Sequence, residues 1–300
     1  MENHYLPEFH KNQIFRITFI VESILAIAAN ATIMVMLIKS KRLRKKSSSK
    51  CFLSLQTSHV LLGVITLFRM FLPKYMEAWI IVNNCILLEL FFNIFFLNLE
   101  KVLAISFPFR HYVLRNSRFF EVLIIISWII TTSLALSKLA PFCRTRHTMF
   151  HILTGIVILT FIYLPLSNIV MMKTAKRHVS AINKTMVGVH QKVVIKHTKS
   201  IRTVFIVTMA FLVLWLPYLV HNILRIQQQV EIKKKFEFFR FISYFLALFN
   251  GIVDPLFIFL FNKDVKTLIR KTTSIRRRDN YIKDFYSKDK YKSCSLSSLT

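Results

Sequence analysis

The sequence predicts an all-α membrane protein built as a seven-transmembrane helix bundle. Three observations carry that prediction. The first is composition: 54% of the 300 residues are hydrophobic, with 29 Phe against only 4 Gly, a balance unsuited to a soluble domain. The second is a series of seven apolar runs, each near the ~20 residues at which a helix crosses about 30 Å of hydrocarbon. Lipid offers the backbone no hydrogen-bond partner, so runs of this kind must be helical. The third is where the charge lies. A net charge of +28 suits a nucleic-acid binder. Here the charges fall between the apolar runs, so membrane topology accounts for them and no nucleic-acid partner is expected.

The spans read roughly 14–38, 51–72, 77–105, 119–141, 148–172, 203–226 and 237–261. The segments 39–50, 106–118, 173–202 and 262–300, with Lys101, hold 30 of the 42 Lys and Arg residues. Basic loops stay on the cytoplasmic side. Residues 1–13 are therefore expected outside the cell, 14–261 form the bundle, and 272–300 form a polar, disordered cytoplasmic tail. The location expected is the plasma membrane. The first apolar run is too long for the core of a cleaved signal peptide and reads as an uncleaved signal-anchor. Cys51, Cys85, Cys143 and Cys294 have the spacing of neither a zinc site nor a disulfide scaffold. His178, His190 and His197 are scattered through a polar loop and read as solvated. No hydrolytic or redox constellation appears, so the chain is read as a non-enzyme, without a cofactor or metal.

Three stretches carry more specific information. The third run closes with Asn98-Leu-Glu100-Lys101, then four apolar residues beginning at Val102, then Ser106-Phe-Pro108, Arg110 and His111. The sixth contains Phe211-Leu-Val-Leu-Trp215-Leu-Pro217-Tyr218. The seventh ends Asn250-Gly-Ile-Val-Asp254-Pro255-Leu-Phe-Ile258. Together they resemble the rhodopsin-like G-protein-coupled receptors. That family shows an acid-Arg-Tyr triplet ahead of a Pro, then Phe, three residues, Trp, one residue and Pro, then Asn or Asp before Pro. The resemblance covers about residues 14–271.

Taken in order, the resemblance implies the following. Asn30 matches the family's Asn in the first span. In the second, Leu55 matches, but His59 stands where the family carries Asp, which removes the carboxylate that normally holds a sodium ion. Asn83 occupies the place of the acid that pairs with biogenic amines, so a monoamine agonist is not expected. The Phe stripe of Phe91, Phe92, Phe95 and Phe96 reads as bundle packing. Trp128 matches the fourth span. Tyr163, ten residues before Lys173, matches loosely in the fifth, where the usual Pro is missing and Gly155 stands near its place. Pro217 removes a backbone hydrogen bond and kinks the sixth helix. Asp254-Pro255 is an accepted variant, and Ile258 replaces the family's Tyr. Residues 262–271 resemble a short amphipathic eighth helix, with Val265, Leu268 and Ile269 toward lipid and Lys263, Lys266, Arg270 and Lys271 toward anionic head groups.

The roles implied are these. Glu100, Lys101, Pro108 and Tyr163 would serve G-protein coupling. Phe211, Trp215, Pro217, Asp254 and Pro255 would form the activation switch. His59 and Asp254 would face one another as a central polar pair. Arg69, Asn83 and Arg240 are the ligand-binding candidates. The basic outer residues, with fewer acids such as Glu22 and Glu89, point to an extracellular ligand carrying negative charge or strong acceptors. The partners expected are a heterotrimeric G protein, arrestin at the hydroxyl-rich tail, the lipid bilayer and that ligand. The family's disulfide between the third helix and the second outer loop is expected to be absent, because Met76 occupies the outer Cys position. The short second outer loop and Asp254-Pro255 resemble the melanocortin and cannabinoid branch, and the lost family residues equally suit a chemosensory receptor. Two other classes remain in view. A transporter usually shows internal repeats, and none is found here. A seven-span scaffold without signalling fits the Glu100-Lys101-Val102 and Ile258 departures.

Overall fold

The computed structural model describes residues 13–40, 47–72, 75–116, 118–137, 146–185, 189–227, 235–261 and 265–267. The described residues form eight longer helices: α1 Gln13–Lys39, α2 Ser47–Phe71, α3 Met76–Ser106, α4 Pro108–Asn116, α5 Phe119–Ser137, α6 Arg146–Thr185, α7 Val189–Gln227 and α8 Lys235–Phe261. Six of them, α1, α2, α3, α6, α7 and α8, contain stretches long and apolar enough to cross a membrane, and α5 has the shorter apolar stretch Phe119–Leu134. The chain is a multi-pass membrane protein with an apolar helix at each of the seven expected spans.

One feature differs from the sequence reading. The segment 106–118, expected as a loop, contains α4. Its origin is local. The Phe107 N–H bonds back to the Leu103 carbonyl at 3.0 Å and ends α3. Pro108 then opens α4 at the position where its missing N–H costs nothing. The length of 173–202 suits two helices that extend past the membrane, and much of it is helical: α6 runs to Thr185 and α7 begins at Val189.

α3 lies at the centre and packs against α2, α4, α5, α6 and α7. The helices α1, α2, α3, α6, α7 and α8 close a ring through successive contacts, ending with α8 against α1, while α5 leans on α2 and α3 from outside. Ile24 and Leu25 of α1, Ile125 and Ile129 of α5, and Leu159 and Ile162 of α6 are exposed. Polar residues turn inward instead: Asn30, His59, Glu89, Asn93, Asn98, Glu100, Asn250 and Asp254 are all buried. This arrangement follows from the solvent, since hydrocarbon accepts Ile and Leu and offers nothing to an amide or carboxylate.

Within the expected eighth helix, residues 265–267 are helical, with Val265 buried and Lys266 exposed; the rest of 262–271 lies outside the described residues. So do residues 1–12 and the tail 272–300, together with Lys138, Cys143, Arg144, Lys233 and Lys234. Cys85 is a free, half-buried thiol.

Gly63 sets the approach of α2 to α1. A Cβ there would stand 2.8 Å from Ile27 Cγ1 and 3.2 Å from the Ser23 carbonyl oxygen. Gly155 on α6 has nothing within 4 Å of such an atom. Gly63→Ala should therefore destabilise the purified protein by about 1–3 kcal/mol. Gly155→Ala should be neutral or stabilise it by up to ~1 kcal/mol. Thermal unfolding of both variants in lipid nanodiscs checks this, and equal losses at the two sites would contradict it.

Candidate functional site

The centre of the bundle holds a hydrogen-bonded acid and imidazole. His59 Nε2 of α2 lies 3.1 Å from Asp254 Oδ2 of α8, and both side chains are almost fully buried. Asn250, one turn earlier on α8, donates its amide to the same oxygen at 2.9 Å. The imidazole donates from Nε2 either as a cation or as the neutral tautomer protonated there. Its Nδ1, like Asp254 Oδ1, has no hydrogen-bond partner among the described residues. The ring fits because position 251 is Gly; a Cβ there would lie 3.2 Å from His59 Nδ1.

The backbone around the pair is arranged by Pro255. A proline inside a helix cannot bond to the carbonyl four residues earlier, which here belongs to Gly251. The Asn30 amide of α1 takes that carbonyl at 2.6 Å, and also bonds to the Ala26 carbonyl at 2.7 Å. One Asn thus ties α1 to the break in α8.

A second polar group lies toward the α4 end of α3. Glu100 Oε1 is 3.1 Å from His111 Nε2 of α4. Glu100 Oε2 is 2.7 Å from Lys101 Nζ and accepts the Ser48 hydroxyl of α2 at 2.9 Å. Lys101 Nζ also donates to the Ser48 oxygen at 2.6 Å. One buried carboxylate therefore holds donors from α2, α3 and α4. Pro108 contributes by starting α4 at once, which places His111 back over Glu100. Nearby, Lys50 of α2 pairs with Glu121 of α5. Asn98 donates to Asn168 of α6 at 3.2 Å. The Tyr163 ring packs at a tilt against Phe95, with centroids 4.5 Å apart, about 7.5 Å along α3 from Glu100.

Between the two polar groups and the opposite end of the bundle lies an aromatic cluster. Trp215 is fully buried. Its ring centroid is 5.0 Å from Phe91, 5.6 Å from Phe211 and 5.3 Å from Tyr218. Pro217 stands inside α7 two residues on. Of the Phe stripe on α3, Phe91 meets Trp215, whereas Phe95 packs on Phe96 and Tyr163. Trp215 also walls a narrow, partly open cleft shared with Arg69, Asn83, Tyr218 and Tyr244. The Arg69 guanidinium lies over the Tyr244 ring at 5.9 Å. Arg240, one turn before Tyr244, is not among the lining residues.

Sequence reasoning placed the His59–Asp254 pair, Trp215 and two of the three ligand candidates in positions that the structure brings together. It gave Ser48 and His111 no role, and it treated Glu89 as an outer charge. Glu89 is buried, accepting Ser127 at 2.9 Å and Thr131 at 3.4 Å from α5. The neighbouring Trp128 donates to Ser54 at 3.1 Å. Two hydroxyl residues four apart on α5, Ser127 and Thr131, were the available signal. Among the described residues no cluster of His, Cys, Asp and Glu is able to hold a metal ion.

The sequence profile described as 7 transmembrane receptor (rhodopsin family) matches residues 29–257. No curated protein matches the chain.

The pair at the centre makes a coupling prediction. His59→Asp sets two carboxylates together, and Asp254→Asn leaves the imidazole without its acid. The double variant places acid and amide in the opposite order and should recover most of the loss, with a coupling of about 1–3 kcal/mol. Surface expression and thermal stability of the two singles and the double measure it, and strictly additive losses would show that the residues do not interact.

Proposed function

The protein belongs to the rhodopsin family of seven-transmembrane receptors, and from that premise we propose that it binds an extracellular ligand in the cleft beside Trp215 and activates a heterotrimeric G protein through the Glu100 end of the bundle. The observation that carries this reading is the double position of Trp215. It is a wall of the cleft and a neighbour of Pro217, and it packs on Phe91 of the same helix that bears Glu100. A ligand pressing on that wall bears on the kinked helix α7 and on α3 together. Binding shifts an equilibrium between closed and open bundles.

In this reading the cleft faces outside and the Glu100 end faces the cytoplasm, at the plasma membrane, with arrestin docking on the phosphorylated tail. Arg69 holds an acceptor or carboxylate of the ligand, and Asn83 gives it a neutral hydrogen-bonding partner. Glu100 holds the resting state by tying α2, α3 and α4. Lys101 keeps the positive charge of the family's Arg and loses the planar fork, so its contact with the G protein is a single point of charge. Tyr163 and Asn168 line the same end on α6.

The test is a broad ligand screen in cells with G-protein activation as the readout. Glu100→Gln and His111→Ala should each raise basal activity, and Lys101→Arg should raise stimulated coupling. No change in basal or stimulated signalling in any of the three would identify a seven-span scaffold that does not signal. For an agonist found in the screen, Arg69→Ala should lower potency about ten- to a hundredfold, with a smaller effect for Arg240→Ala.

A further inference from the structure

Among the described residues, Arg69 is the one cationic side chain that lines the cleft, and no Asp or Glu lines it. The Arg69 guanidinium forms no ion pair with a described residue, and its buried Nε has no hydrogen-bond partner among them. Its contact is with the Tyr244 ring, 5.9 Å away at the centroid. A ring face attracts a cation without accepting a hydrogen bond as an oxygen would, so the N–H donors of the guanidinium remain unused.

The rest of the lining calls for an acceptor or for apolar surface. The Trp215 indole N–H is also buried without a partner among the described residues. The Thr66 hydroxyl is occupied, donating to the Leu62 carbonyl of its own helix at 2.8 Å. Asn83 is neutral, and Phe19, Leu62, Met70, Leu87 and Leu248 are apolar. An ammonium ligand would meet no described carboxylate here and would face Arg69 as a like charge. An anion is drawn to Arg69, and more strongly than in water because the surroundings screen the charge less. A dianion would carry more negative charge than one guanidinium offsets.

We propose that the cleft takes a monocarboxylate carried on an unbranched apolar chain, the chemistry of a fatty acid, with its carboxylate on Arg69 and its chain along the apolar lining toward Leu62, about two turns along α2. A carboxylate matches the guanidinium in charge and in the spacing of its two oxygens. An unbranched chain suits a narrow cleft whose remaining walls are mostly apolar or aromatic. The proposal rests on the reading of the cleft as the ligand site and specifies what that site recognises.

The experiment uses the intact protein in nanodiscs, with thermal unfolding titrated against octanoate, 1-octanol, octylamine and acetate. Octanoate should raise Tm at concentrations at least about tenfold below those needed for 1-octanol or octylamine, which lack the negative charge, and for acetate, which lacks the chain. Arg69→Gln should bring octanoate down to the level of 1-octanol and leave the 1-octanol titration unchanged. Arg69→Lys should keep part of the difference, since it retains the charge and loses the planar fork. Any of the other three compounds acting as well as octanoate on the unsubstituted protein would overturn the proposal. So would an octanoate titration unchanged in Arg69→Gln, a parallel loss of octanoate and 1-octanol in that variant, or no shift with octanoate. The cleft itself is judged separately by Leu87→Trp, which fills it. A ligand of other chemistry that is lost in Leu87→Trp would leave the cleft as the binding site and overturn only the monocarboxylate. A ligand indifferent to Leu87→Trp would overturn both.

Discussion

A polar group in hydrocarbon has only the protein to bond with, and the bundle is organised by that constraint. The buried amides, carboxylates and hydroxyls join different helices: Asn30 joins α1 to α8, His59 joins α2 to α8, Glu89 joins α3 to α5, and Glu100 joins α2, α3 and α4. Apolar packing alone would not choose among many helix arrangements, because lipid tails are as apolar as Leu and Phe. Each of these bonds is lost if a helix rotates or slides, so they fix the register that the hydrophobic surfaces leave open.

The bonds sit at two depths with different characters. The central group, around His59, Asp254 and Asn250, is enclosed and gathered at the break in α8. The group around Glu100 includes half-buried donors on α2, α3 and α4. Between them α3 carries Phe95, which packs on Phe96 and on the Tyr163 ring of α6. Rings can slide over one another with little loss, whereas a carboxylate and its donors cannot. Movement is thus easiest to accommodate in the aromatic middle, and the polar groups at either depth define the positions between which it occurs.

The spans were legible because a membrane helix needs an unbroken apolar run, which is a property of sequence alone. The pair His59 and Asp254 was also legible, since both stand at positions of a known frame that face the same space, and their residue types are complementary. Glu100 was legible as an acid at a helix end, but not as the centre of a group. Its partners depend on how the chain turns at Pro108 and on where α2 begins, and the sequence reading began α2 at Cys51, beyond Ser48. α4 was read as loop because nine residues with so little apolar content leave no span signal. Arg240 shows the converse limit. Its place near a helix end suggested a ligand contact, but the cleft is lined by Tyr244, one turn further along the same face of α8, and not by Arg240.

The length of α7 has a mechanical consequence. From Val189 to Pro217 the helix extends about 42 Å at ~1.5 Å per residue. It acts as a lever arm with its fulcrum beside the cleft wall. A change of about ten degrees in the bend at Pro217 carries the distal tip through about 7 Å, more than one helical turn. The contacts near Trp215 meanwhile move by only a fraction of that. Displacements at the tip are thereby several times larger than those at the fulcrum, with no added contacts along the way. The same leverage works in reverse: a protein gripping the distal end of α7 would exert a large torque on the residues around Trp215, so that occupancy at one end of the molecule is felt at the other.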